Sequence, residues 1–124
     1  MLLNDEDLFL AAKALEKEFG VPVSAKIEEN PHIGNAPPPT QGFADGLAVA
    51  KDAAVLAMAL HQILPRVNQI FEGIDHTQKP PQEVFDEVRK RLQSQYLEPI
   101  KENTEKIRLV LKVVLERVME RLGL

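Results

Sequence analysis

Eight apolar positions between Val49 and Ile74 recur at alternating spacings of four and three residues: Val49, Ala53, Leu56, Leu60, Ile63, Val67, Ile70 and Ile74. Only an α-helix brings such positions onto one face, and the seam holds for more than three heptads. A second stripe adjoins it, made by Ala50, Ala54, Ala57, His61, Leu64, Asn68 and Phe71. A helix with two neighbouring apolar stripes needs more than one partner surface, so this segment belongs inside a bundle. Pro65 falls in the middle of it. A proline there deletes the hydrogen bond to the carbonyl of His61 and bends the helix. The seam passes through Pro65 without losing register, so the spacing predicts one kinked helix over 44–74.

The rest of the chain sorts around this segment. Asn4 is an expected N-cap, Asp5, Glu6 and Asp7 suit the positive end of a helix dipole, and Gly20 is a suitable terminator. Between them Leu8, Ala11, Ala12, Leu15 and Phe19 form one stripe, which predicts a short helix within 1–20. Residues 21–43 hold five of the nine prolines and no periodic pattern, so they read as an extended arm. Pro37-Pro38-Pro39 favours polyproline II there, and Ile27 and Ile33 are the anchors expected to pin the arm to a surface.

A last helical stretch spans 82–122. Phe85, Val88, Leu92 and Tyr96 make a stripe that resumes at Ile107, Val110, Leu111, Val114, Val118 and Leu122. Asp86 with Lys90, Glu87 with Arg91, Glu102 with Lys106 and Lys112 with Glu116 stand at ion-pair spacing. Pro80-Pro81 stiffens the turn before the stretch, and Pro99 interrupts it with either a kink or a clean break. The segment 101–106 is polar, and Asn103 stands where an apolar residue would continue the stripe.

Length then suggests an assembly. Helices over 44–74 and 82–122 would be roughly 46 and 60 Å long at 1.5 Å per residue. A compact monomer of this size has a radius of gyration of only about 14 Å. The expected fold is therefore all-α: an N-terminal helix, a Pro-rich arm, and a long kinked antiparallel hairpin (44–124) that pairs with a second copy into a four-helix bundle. The interface expected from the two stripes is Leu56, Leu60, Ile63, Val67 and Ile70 against Ile107, Val110, Leu111, Val114 and Val118.

Chemistry is harder to find. The chain has no cysteine, which removes thiolate metal sites, redox pairs and a cysteine nucleophile. A net charge of -4 argues against nucleic acid, whose phosphates call for a basic face. Glu29-Asn30-Pro31-His32 has the E-x-x-H spacing of di-iron bundles, but Pro31 takes it off a helix and the companion carboxylates are missing. His61 and His76 stand without a ligand cluster, and no phosphate loop, nucleophile elbow or zinc-protease motif is present. No catalytic, metal or cofactor residue is therefore assigned.

The N-terminus lacks the basic and apolar regions of a signal peptide, and the apolar run 47–64 is cut by Lys51, Asp52, His61 and Gln62. A cytoplasmic protein is the expectation. The function expected is non-catalytic protein–protein interaction, as a small accessory subunit, adaptor or assembly chaperone acting as a homo-oligomer (a dimer first) or on a larger partner. The alternative is a lipid- or membrane-surface-binding amphipathic protein; an enzyme comes third.

Overall fold

The computed structural model describes residues 1–33, 53–97 and 104–124. The described residues form five helices and no strand: α1 (Asp5–Phe19), α2 (Val23–Glu29), α3 (Ala53–Glu72), α4 (Pro81–Tyr96) and α5 (Thr104–Leu122). The all-α expectation holds.

Local signals account for α1. The Asn4 side chain accepts from the Asp7 N–H at 3.2 Å, while the Asp7 carboxylate accepts from the Asn4 N–H at 2.9 Å. This reciprocal cap satisfies two donors that a bare helix start would leave open. Gly20 ends α1 with φ 68°, a left-handed conformation a side chain would strain, and its N–H donates to the Glu16 carbonyl. The face between them buries Leu8, Ala11, Ala12 and Leu15.

The extended arm expected from Val21 onward is corrected over its first part. Val23–Glu29 is helical, and the structure shows why prolines did not prevent it. Pro22 stands at the N-cap, where fixed φ and a missing N–H cost nothing. The Glu16 carboxylate then reaches across from α1 and accepts from both the backbone N–H (3.0 Å) and the hydroxyl (2.6 Å) of Ser24. These two bonds hold the Glu16 carboxyl below its ordinary pKa. Val23 and Ile27, one turn apart, go into the core. Pro37-Pro38-Pro39 and Asn103 lie outside the described residues.

α3 is continuous through Pro65, as the unbroken register requires. It packs against α1, α2, α4 and α5, and residues all round it are buried, including Leu56, Ala59, Leu60, Ile63, Leu64 and Val67. The expectation that its two stripes need several neighbours holds, but the neighbours come from the same chain.

The helical stretch 82–122, left open between a kink and a break at Pro99, is two helices among the described residues. α4 begins with Pro80 as N-cap and Pro81 in its first turn, and it ends at Tyr96. α4 and α5 pack against each other, which a single kinked rod running through Pro99 could not do. The rod of roughly 60 Å is thus replaced by helices of 16 and 19 residues, and α3 accounts for 20 described residues of the 44–74 segment, whose first part lies outside the described residues. Of the expected ion pairs, Glu87 meets Arg91 at 3.5 Å, whereas Asp86 is drawn to Arg89 at 3.5 Å.

The two ends of the described chain meet. Asp7, with no exposed surface, accepts from Arg117 Nε at 3.0 Å and from Arg121 Nε at 2.9 and 3.1 Å. Leu3, fully buried, is held by Asn68 of α3. None of these partnerships is visible as a pattern in the sequence, because each spans most of the chain.

Candidate docking surface

The ten residues expected to face a second copy are placed inside one chain. Leu56, Leu60, Ile63, Val67, Ile70, Ile107, Val110, Leu111, Val114 and Val118 are each 6% exposed or less and belong to one contiguous cluster. The periodicity correctly marked them as buried. The surface burying them is intramolecular, since α1 and α2 supply the cover that the extended arm could not have given. Ile27 and Ile33 are likewise buried in the chain's own core rather than offered as anchors to another molecule. Ile33 is fixed further by its N–H, which donates to the Asp5 carboxylate at 2.9 Å.

Among the described residues an open surface lies along the α4–α5 pair. A groove of about 710 Å³ runs between Phe85, Gln93 and Leu97 on the α4 side and Leu111, Leu115 and Met119 on α5. Leu111 and Leu115 form its floor, nearly closed to solvent, while Met119 is 38% exposed. Phe85 and Leu97 are partly buried and pack against the core, with one side left bare. Arg108, Lys112 and Glu116 also line it, and all three are exposed. The groove is thus apolar at its base and charged along one edge, the arrangement of protein-binding patches rather than of closed small-molecule sites.

Of the ten expected interface residues only Leu111 touches this groove. Leu115 and Met119 left one signal in the sequence. The last helix is apolar over more than half its circumference, more than a single core-facing stripe needs.

The titratable groups elsewhere form structural pairs. His32 Nδ1 lies 2.8 Å from Asp5 Oδ2, on an exposed edge beside α1. That contact, together with the Ile33 N–H, holds the Asp5 carboxyl below its usual range. His76 stacks on Phe71 with ring centroids 4.3 Å apart. His61 is 5% exposed, and its ring nitrogens have no hydrogen-bonding partner among the described residues. Burial pushes its pKa down, and the nearby Asn30 backbone and Asp5 charge only partly offset this. Gln62 beside it is also buried with its amide atoms unpaired among the described residues. Lys79 and Glu87, 2.9 Å apart, shift each other in the expected senses, the ammonium up and the carboxyl down. Among the described residues no three His, Asp or Glu side chains gather closely enough to hold a metal ion. No described helix is long and apolar enough to cross a membrane.

Compared with known protein families, curated proteins and solved structures, the chain matches none.

Proposed function

We propose that this chain is a non-catalytic interaction module of the cytoplasm, a small accessory subunit, adaptor or assembly chaperone. Its working surface is the α4–α5 groove. The observation that carries the reading is Met119 over the Leu111–Leu115 floor, an exposed apolar surface among described residues whose large apolar side chains, apart from Met1 and Leu124, are otherwise at least partly buried. The mixed charges at its edge suit a protein partner, whereas a lipid-surface helix has a basic polar face and aromatic anchors. The carboxylates and histidines nearest to one another serve caps, ion pairs and stacking, and none stands in the groove as a nucleophile–base pair.

The test is a photo-crosslinking side chain placed at position 119 in the native host, followed by reconstitution of the captured protein from purified components. The expected result is a complex of micromolar affinity or tighter that Met119→Glu weakens at least about tenfold, or 1.4 kcal/mol. Equal binding by Met119→Glu, or flotation with anionic vesicles in place of any reconstituted protein complex, would overturn the reading.

A further inference from the structure

Charge order along α5 identifies the occupant of the groove. Arg108, Lys112, Glu116 and Glu120 follow one another at four-residue spacing, and all four are exposed. They therefore form a single row on the helix surface, two positive charges followed by two negative, about 18 Å from end to end. Beside it runs the apolar row Leu111, Leu115 and Met119.

A row of this kind is complementary to itself when reversed. If a second α5 lies antiparallel across the first, Arg108 faces Glu120 of the second copy and Lys112 faces its Glu116. The same pairs recur on the other side of the two-fold axis. The charged row is centred at the level of residue 114 and the apolar row at residue 115, about 1.5 Å apart along the helix, so an axis near this level brings both rows onto their counterparts to within that offset. A parallel arrangement would set like charge on like, and a partner of one sign would match only half the row. Two-fold contacts of one surface with itself are the commonest way soluble chains associate.

We infer that the occupant of the α4–α5 groove is a second copy of this chain, seated antiparallel so that Met119 of each copy enters the groove of the other. This inference rests on reading the groove as a protein-docking surface. Met suits the role, because its unbranched side chain adapts to an irregular cavity. The charges sit at the edge, so they set orientation and register, while the apolar row supplies the larger share of the attraction.

The experiment is sedimentation equilibrium of the full chain with two charge-reversed variants. One carries Arg108→Glu with Lys112→Glu, and the other carries Glu116→Lys with Glu120→Lys. Because all four positions are exposed, circular dichroism should report unchanged helix content. The wild type is expected to dimerise below about 100 µM, each variant alone to associate at least about tenfold more weakly, and an equimolar mixture to return to within a few-fold of wild type. A monomeric wild type at that concentration, unaffected variants, or a mixture that fails to recover would each overturn the inference. A monomeric wild type that still crosslinks to and reconstitutes with a different protein through position 119 would sink the second copy and leave the docking surface standing. A monomer with no reconstituted partner would sink both.

Discussion

The backbone of Leu3 and the side-chain amide of Asn68 hydrogen-bond in both directions, Leu3 N–H to Asn68 Oδ1 at 2.7 Å and Asn68 Nδ2 to the Leu3 carbonyl at 2.9 Å. One amide thus satisfies a donor and an acceptor buried 65 positions away and fixes the segment ahead of α1 to the C-terminal part of α3. Asn68→Leu keeps the volume and strands both backbone groups. We expect a loss of about 1–3 kcal/mol in urea unfolding. Amide exchange at Leu3 should accelerate in that variant while α4 keeps its protection.

A second buried polar contact joins α1 to α5. Removing the Asp7 carboxylate leaves Arg117 without its counter-charge and Arg121 with only the more distant, exposed Glu6, and it also breaks the cap on α1. Asp7→Ala should therefore cost about 3 kcal/mol or more, which is large for a chain of this size. Glu6→Ala, whose carboxylate is 71% exposed and 3.6 Å from Arg121, should change stability by less than about 0.5 kcal/mol. Similar melting temperatures for the two variants would contradict the assignment of Asp7 as the anchor.

His61 predicts a dependence on pH. Its folded-state pKa lies below the unfolded value, so between those two values the unfolded chain binds a proton that the folded chain does not. Stability is accordingly greatest above pH 6.5 and falls as the pH drops below it, with a slope no steeper than one proton, about 1.4 kcal/mol per pH unit. Asp5, with its pKa lowered, acts elsewhere on the scale: its contribution is present above the ordinary carboxylate pKa and fades only in stronger acid. His61→Leu should flatten the profile between pH 6.5 and 5 without loss of stability at pH 7. A parallel profile in that variant would show that another group controls the window.

Leu60 separates two accounts of the central seam. If its stripe faced another molecule, Leu60→Asp would release folded monomers. Buried inside one chain, the same substitution places an unpaired carboxylate in the core, and the expected outcome is unfolding, seen as lost helical circular dichroism at 25 °C. Ile27→Ala gives a milder reading of the same core, with an expected cost of about 2–4 kcal/mol, where an anchor on a free arm would cost almost nothing.

How much of this was legible follows from the range of each signal. The boundaries of α1 were readable because Asn4 and Gly20 act on their own helix, and the continuity of α3 through Pro65 because its register runs unbroken there. α2 was not. Seven residues after a proline carry no periodicity, and the helix depends on a cap lent by Glu16 of a different element. Leu56 or Val114 announces by its spacing that it is buried, yet spacing says nothing of what covers it. Helix lengths taken as if Pro99 only bent the chain then turned internal neighbours into an expected second copy. Met119 shows the converse limit, since an apolar residue left on the surface looks the same in sequence as one in the core.

The placement of Asp7 bears on how the chain is made. Synthesis delivers α1 well before its counter-charges at positions 117 and 121, a separation of 110 residues for the first of them. Throughout elongation the carboxylate can stay hydrated, and α1 has no reason to settle against α3 with that charge beneath it. The domain should therefore complete its fold late, in one concerted closing step, and more slowly than its helical, locally bonded composition would suggest. A chain truncated before Arg117 would display α1 still open to protease, and the chain carrying Arg117 and Arg121 would display it shut.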